Sequence, residues 1–470
     1  MPEPSATYTE FLRRLQAHER VEPFPRNRRP DKLAGILRLV EALGHPERAY
    51  RVAHVAGTNG KGMTAAMLAA LLRQAGRRVA LYTSPHVLDL RERFAVDGRW
   101  LPEPALAAAG HRVLDLAAAL PGGVYCSYFD LLTAIGLLAF RDAGAEDCVL
   151  ETGLGGAADA TNITPKALCI LTRIGWDHMY VLGNSLREIA AEKLGIVRPG
   201  VPTVIAEQDP ELMPWLEEQV RLRGSAPLRA EATRLEAHAQ ATAPLRVTWP
   251  DGERTVLPAG PQGLTAVKLC CAATALTAAA ALLGPGDGPE RVRRLAAALA
   301  TTLPGRLEFR TRQRLVGGPA ALPDAAVLER VVLDGGHNRE ALLALNDQLE
   351  RWGVRDYTLI FGMQADKLVD AVRAPLGVLA GRAARVILLA PQTPRAPNAE
   401  ALADFVAAAA EDGPRPEVCP DAAAALALAA QTPQRPLVAA GSFWMLGDLM
   451  RLLAPADAAD TGPAASGAGA

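Results

Sequence analysis

No sign of charge dominates this chain. Lys and Arg number 50 against 51 Asp and Glu, leaving a net charge of −1. The basic residues are scattered, with no stripe of them, and this argues against nucleic acid as a partner. Also missing is any uncharged apolar run of about 18 residues, the length that crosses a bilayer. The longest apolar stretch, Leu269 to Leu283, is alanine-rich and broken by threonine, and it reads as a packed helix. No charged-then-apolar opening precedes a small-residue cleavage site, so neither a leader nor a membrane partner is expected. The six cysteines (Cys126, Cys148, Cys169, Cys270, Cys271, Cys419) show no C-x-x-C spacing. Cys148 and Cys169 fall in apolar runs where a free thiol acts as a small hydrophobe, so a reducing cytoplasm is expected in place of a disulfide framework. Repeats at solenoid periods are absent too.

What the chain does have is length, 470 residues, and an apolar half, enough for two cores. Short apolar runs at 52–56, 79–83, 147–151, 167–172 and 201–206 alternate with helical segments, the pattern of parallel βαβ units. Residues 128–142 open on the capping box Ser127-x-x-Asp130, and 186–197 open on Ser185-x-x-Glu188. Residues 207–262 are polar and read as irregular, with a short β excursion near 244–257, before helices at 266–283 and 289–301. A second α/β series follows Pro304, with strands at 329–334, 357–361, 385–390 and 436–440. The expected fold is therefore α/β throughout. A parallel-sheet domain (1–302), which the glycine–lysine loop at 57–62 marks as a P-loop nucleotide-binding domain, precedes a smaller Rossmann-like α/β domain (303–454), and 455–470 are expected to form a disordered Ala/Gly/Pro/Ser tail.

The densest chemistry lies at Val52-Ala-His-Val-Ala-Gly-Thr-Asn-Gly-Lys-Gly-Met-Thr64. A β-branched run, a glycine turn with one lysine and a helix from Ala65 make a strand–loop–helix unit whose backbone N–H groups face an anion. Gly57, Gly60 and Gly62 let phosphate oxygens approach the main chain, and Lys61 brings a positive charge to the β/γ-phosphates. The literal G-x-x-x-x-G-K-[ST] pattern is not met, because Gly62 follows Lys61.

Three further segments carry candidate groups. Glu151 ends an apolar run beside the loop Gly153-Leu-Gly-Gly-Ala-Ala-Asp159, and a strand-end carboxylate is a natural Mg²⁺ ligand. The rival reading is a dinucleotide fingerprint, Gly153-x-Gly155-x-x-Ala158 with Asp177 as ribose partner, which requires a helix opening at that loop. Asp177-His178 is either a hydrogen-bonded structural pair or a metal site. Lys193 sits among Ile189, Leu194, Ile196 and Val197, where burial depresses a lysine and lets the neutral amine take up CO₂ as a carbamate. The alternative is a lysine snorkelling at the surface.

Ala56-Gly-Thr-Asn-Gly-Lys-Gly62 resembles the nucleotide loop of the folylpolyglutamate synthase/dihydrofolate synthase family, a branch of the Mur-ligase superfamily. Other motifs follow in the family's order over about residues 30–452. They are Thr83-Ser-Pro-His86, Phe129-Asp130-x-x-Thr133, Glu151-x-Gly-Leu-Gly-Gly-x-x-Asp159-Ala-Thr-Asn162, Asp177-His178…Leu182-Gly183 and Glu192-Lys193-x-Gly-Ile. The second half adds Leu303-Pro-Gly-Arg306, Asp334-Gly-Gly-His337-Asn338, Asp366-Lys367, Pro394-Arg-Ala396 and Gly441-Ser442. The resemblance implies that Thr58, Asn59, Gly60, Lys61, Gly62, Arg306 and Asp334 meet the nucleotide, and that Ser84, Glu151 and His178 hold Mg²⁺, two ions in all. It implies that Lys61, Lys193 (as a carbamate) and His337 are catalytic, and that Phe129, Asp130, Asp159 and Ser442 meet the substrates. A monovalent cation is a further ligand it brings. The chain departs from the family at Met63 (Ser or Thr there), at Ala157 (Arg), at Asp130 (Glu) and across 260–268, which lacks the family's His-Gln-x-x-Asn.

The implied activity is an ATP-dependent amide ligation of L-glutamate to dihydropteroate or a reduced folate, or both, through an acyl phosphate. The expected protein is a cytoplasmic monomer whose partners are small molecules. A nucleotide-binding paralogue that has lost catalysis, or a Mur-type ligase with another acceptor, are the competing readings.

Overall fold

The structure, a computed structural model, describes residues 5–19, 32–121, 124–230, 233–236, 244–259, 264–316, 327–393 and 395–456. They fall into two compact units, Ser5–Leu303 and one beginning at Pro304.

The first unit is built on an eight-stranded sheet of β1 (Arg51–Ala56), β2 (Val79–Tyr82), β3 (Phe94–Val96), β4 (Arg99–Trp100), β5 (Asp147–Glu151), β6 (Leu168–Leu171), β7 (Thr203–Ile205) and β8 (Pro227–Arg229). Their order across the sheet is β4-β3-β2-β5-β1-β6-β7-β8. All pairings from β2 to β8 are parallel, and β3 and β4 extend the edge as antiparallel strands. Parallel strands covered on both faces read as continuous apolar runs, and β1 is buried at every position after Arg51. Its alternate residues go to opposite layers. Ala53 and Val55 pack with Met67, Leu71, Ala272 and Leu295, whereas Val52 packs with Ile36, Leu131 and Ile135. The Ala266–Leu283 helix is long and apolar enough to cross a membrane. Here it packs on the Lys61–Gln74 and Gly288–Ala300 helices with Leu269, Ala272, Ala275 and Ala279 buried.

Several sequence expectations need correction. The 207–222 stretch is not irregular: Leu212–Leu222 is a helix whose Leu212, Met213, Leu216 and Val220 form a buried stripe. The β excursion is a three-stranded antiparallel sheet of β9 (Arg234–Glu236), β10 (Pro244–Thr248) and β11 (Arg254–Ala259). The helix expected over 186–197 stops at Lys193 and tightens into a 3₁₀ turn over Leu194–Ile196. The tightening coincides with a close approach, since a Cβ on Gly195 would lie 2.4 Å from Cα of Ala157. No helix opens at the Gly153–Ala158 loop. It turns into a short 3₁₀ segment over Ala160–Ile163, so the dinucleotide fingerprint lacks the helix it needs.

The second unit carries β12 (Glu308–Leu315), β13 (Val327–Asp334), β14 (Tyr357–Phe361), β15 (Ala383–Leu389), β16 (Glu417–Cys419), β17 (Leu437–Ala440) and β18 (Leu453–Pro455) in the order β16-β15-β14-β17-β13-β12-β18. The first five in that order run parallel, with β12 and β18 antiparallel at the end. Pro455, expected to open the tail, pairs with Gln313 in β12. The tail's remainder from residue 457 lies outside the described residues, as do Pro394 and residues 260–263 of the divergent segment.

Candidate active site

In open parallel sheets ligands bind beyond the carboxyl ends of the strands. Across that edge of the first unit stand four neighbouring strands, β2, β5, β1 and β6. They deliver in turn Ser84, Glu151, the Gly57–Lys61 loop and Asp177-His178.

The loop leaves β1 at Gly57, where a Cβ would sit 1.8 Å from Oγ1 of Thr172. The backbone turns left-handed at Gly60 (φ 84°), the residue that opens the Lys61–Gln74 helix. The first intrahelical bond runs from the Thr64 amide to the Gly60 carbonyl, so the amides of Gly60, Lys61, Gly62 and Met63 precede it at the positive end of the helix. The amides of Thr58 and Asn59, two residues expected to meet the nucleotide, both donate to the Arg173 carbonyl. The Thr58 hydroxyl donates to the Gly175 carbonyl and accepts from the Gly175 amide, so this side chain ties the loop to the turn after β6. Nζ of Lys61 lies over the loop and donates to the carbonyls of Gly57 (3.3 Å) and Thr58 (3.2 Å). Met63 is buried in the same apolar cluster as Met67.

Glu151 is almost wholly buried, and its Oε2 accepts from the Ser84 amide at 2.9 Å. The Glu151 carboxylate thus meets the backbone of Ser84. His178 stands in a left-handed turn beyond β6, its amide donating to Asp177 and its Nε2 3.7 Å from the Asp177 carboxylate. Among the described residues no three His, Cys, Asp or Glu side chains gather into a metal cage. A hard-oxygen edge of Glu151 and Ser84 nonetheless suits Mg²⁺, which normally keeps waters and phosphate oxygens as its other ligands.

Lys193 does not snorkel. It is 3% exposed, at the end of the Leu186–Lys193 helix, and its Nζ donates to the Gly57 carbonyl at 2.7 Å. Burial, then the like charge of Lys61, push its ammonium down to about 7, so the neutral amine is accessible near neutral pH.

The expected acceptor-side residues are placed unevenly. The Phe129 ring covers Gly153, where a Cβ would lie 2.5 Å from the ring, and it neighbours Tyr82 at 6.1 Å. Asp130 completes the capping box: its Oδ2 accepts from the Ser127 amide, and the Ser127 hydroxyl accepts from the Asp130 amide. Asp159, expected to meet substrate, accepts here from its own chain. Oδ2 accepts from the amides of Gly153 and Leu154 (2.9 Å each), and Oδ1 accepts from the amide and hydroxyl of Thr161. Those four donors match the lone-pair sites a carboxylate offers. The glycines of this loop are explained by packing. A Cβ on Gly156 would lie 2.8 Å from the Glu192 carbonyl, and Ala157, in place of arginine, sits exposed with its amide donating to that same carbonyl.

In the second unit Asp334, His337, Arg306 and Ser442 lie around the carboxyl ends of β13 and β17, which pair side by side. Oδ2 of Asp334 accepts from the Leu307 amide and Oδ1 from the Gly336 amide, and burial pushes the carboxyl up to about 6. Nδ1 of His337 lies 2.9 Å from the Gly335 carbonyl. Phe443, which sequence reasoning passed over, organises the group. The Arg306 guanidinium stacks 4.7 Å above its ring, the His337 ring meets it edge-on at 6.1 Å, and it fills the space a Cβ on Gly335 would need. Ser442 is buried at the start of the Phe443–Arg451 helix and makes no side-chain cap.

A phosphate loop at the edge of a parallel sheet, followed by a second α/β unit with an Asp-Gly-Gly-His-Asn strand end, is the architecture of a Mur-type ligase. Residues 325–443 match the family described as Mur ligase, glutamate ligase domain. The chain is 32% identical to the dihydrofolate synthase/folylpolyglutamate synthase of Mycobacterium tuberculosis, over 81% of this chain and 78% of that protein. It is 38% identical to the Bacillus subtilis dihydrofolate synthase/folylpolyglutamate synthase over a shorter stretch, 42% of this chain and 46% of the relative. A solved structure of Mycobacterium tuberculosis folylpolyglutamate synthase complexed with ADP superposes with a TM-score of 0.78 at 26% identity, covering 95% of this chain and 98% of that one. The chain belongs to the dihydrofolate synthase/folylpolyglutamate synthase family.

Proposed function

We infer that this chain is an ATP-dependent ligase that joins L-glutamate by an amide bond to dihydropteroate, to a reduced folate, or to both. The observation that carries the inference is the convergence of the phosphate loop, Glu151 with Ser84, and buried Lys193 at one strand edge. The ADP complex of the Mycobacterium tuberculosis relative supports nucleotide binding.

An amide from a carboxylate needs an oxygen made into a leaving group. Transfer of the γ-phosphoryl of ATP to the acceptor carboxylate gives an acyl phosphate and ADP. The glutamate amine attacks the acyl carbon, phosphate leaves, and the amine gives up its proton. Catalysis of such a transfer is mostly positioning and charge neutralisation. Lys61 and the amides at the helix start bind the phosphates in this reading. Arg306, Asp334 and His337 take their nucleotide and glutamate roles from the family resemblance, as does Ser442. Phe129 and the Gly153–Ala157 loop face the acceptor. Ser84 and Glu151 would hold Mg²⁺, with His178 beside a second ion; the metal supplies charge neutralisation on the phosphates. Carbamylated Lys193 is supported by its burial and lowered basicity, and a monovalent cation is part of the same reading. A cytoplasmic monomer completes it; the six free thiols support the compartment. The retained Lys61, Glu151, His178 and Lys193 speak against an inactive paralogue.

Incubation with ATP, L-glutamate and dihydropteroate, or a reduced folate, should give a product heavier by one glutamyl residue, with one ADP and one phosphate per amide. ATP hydrolysis without an amide product would refute the ligase reading.

A further inference from the structure

His54 is the one ionisable residue inside the otherwise apolar run Val52–Ala56, and it is fully buried. Its Nδ1 has no hydrogen-bond partner. Burying an unmatched ring nitrogen is costly, and an apolar side chain would fill this strand position more cheaply. The cost is offset on the other side of the ring, where Nε2 lies 2.7 Å from Oγ1 of Thr161. The direction of that bond follows from its neighbours. The Thr161 hydroxyl donates its hydrogen to Oδ1 of Asp159, so it accepts from His54, which must carry its proton on Nε2. Burial holds the imidazole well below its usual basicity, in keeping with a neutral ring.

Asp159 in turn receives the amides of Gly153 and Leu154, and Gly153 is the residue the Phe129 ring covers. Three residues beyond His54 the same strand releases the phosphate loop at Gly57. One strand thus carries the phosphate loop at its end and, through two side chains, anchors the glycine loop that leaves the neighbouring strand β5. We propose that His54 and Thr161 are positioning residues whose directed chain, His54 Nε2–H to Thr161 hydroxyl to Asp159, holds the Gly153–Ala157 loop in register with the phosphate loop for the acceptor substrate. This rests on the reading that Phe129 and that loop face the acceptor.

The test uses the full-length enzyme with dihydropteroate and with a reduced folate. Thr161→Val, nearly the same shape without the hydroxyl, should raise the acceptor KM about tenfold. The KM for ATP and the Kd for ADP should stay within about twofold, and Thr161→Ser should behave as wild type. His54→Gln keeps an N–H donor and should resemble wild type, whereas His54→Met should follow Thr161→Val. That pair carries the test if Thr161→Val does not fold. An unchanged acceptor KM in Thr161→Val and His54→Met would overturn the proposal, as would ATP and acceptor KM rising together, the sign of general loosening. Phe129→Leu separates the two levels. If it raises the acceptor KM while the relay variants do not, only the relay falls; if it too leaves that KM unchanged, the placing of the acceptor falls and the relay with it.

Discussion

The side-chain nitrogens of Lys61 and Lys193 converge on a single atom, the Gly57 carbonyl oxygen, at 3.3 and 2.7 Å. Burial, and after it the like charge of Lys61 at the same carbonyl, pushes Lys193 down to about 7. Between that pH and the ordinary lysine range the unfolded chain binds a proton that the native chain does not. Native stability should therefore rise with pH across this window, by up to about 1.4 kcal/mol per pH unit for one proton. Lys193→Met should flatten this slope in urea titrations from pH 7 to pH 9, and an unchanged slope would show that Lys193 is not the group responsible. The same neutral amine accepts CO₂, so intact mass under CO₂-preserving conditions should show the carbamate. Lys193→Ala should be weakly active and partly rescued by short carboxylic acids; a fully active Lys193→Ala would contradict the role.

Met63 stands where the family has a hydroxyl, and it is buried with Met67 in the apolar cluster under the phosphate-loop helix. Met63→Ser removes that packing and should cost about 1–3 kcal/mol in urea unfolding. A thioether is also a poor Mg²⁺ ligand, so the serine should lower the Mg²⁺ needed for half-maximal rate. A stability loss with an unmoved Mg²⁺ midpoint would assign position 63 to packing alone.

Asp334 holds the Leu307 amide on one oxygen and the Gly336 amide on the other. An amide side chain has only one acceptor oxygen, so Asp334→Asn should destabilise the protein by about 1–3 kcal/mol. Because burial raises this carboxyl to about 6, the native state retains a proton that the unfolded chain releases first. Its contribution to stability is complete below the ordinary carboxylate range and declines as pH rises through 6. That decline should be missing from Asp334→Asn when unfolding is measured from pH 4 to pH 7.

Gly57 has no room for a side chain, since its Cβ would fall on Oγ1 of Thr172. Gly57→Ala should lose about 3 kcal/mol or more, or fail to accumulate as folded protein. A wild-type urea midpoint would mean that β1 and β6 separate easily at this edge.

Much of the fold was legible because its signals are local. The apolar runs at 147–151 and 357–361 match β5 and β14 residue for residue, and the helix opened by the Ser127 capping box runs to Asp142 as expected. The Leu212–Leu222 helix was hidden because its stripe lies in a polar, proline-containing stretch, and β18 because its pairing with β12 is non-local. For the site, residue types pointed to Lys61, Glu151 and Lys193, but not to what occupies them. That Thr58 is committed to Gly175 and Asp159 to its own loop depends on backbone donors that no side-chain motif records. Phe443 drew no notice in the sequence, since only the fold brings Arg306 and His337 to its ring.

The most direct test of the ligase assignment is a phosphate-release assay across a panel of acceptors. ATP and Mg²⁺ are supplied throughout, with L-glutamate and with dihydropteroate, a reduced folate or a Mur-type peptide precursor. Phosphate release should require glutamate together with dihydropteroate or the folate, and it should vanish in Lys61→Ala while that protein keeps its fold, because a loop charge adds little stability. Release that ignores glutamate, follows only the peptide precursor, or persists in Lys61→Ala would contradict the assignment.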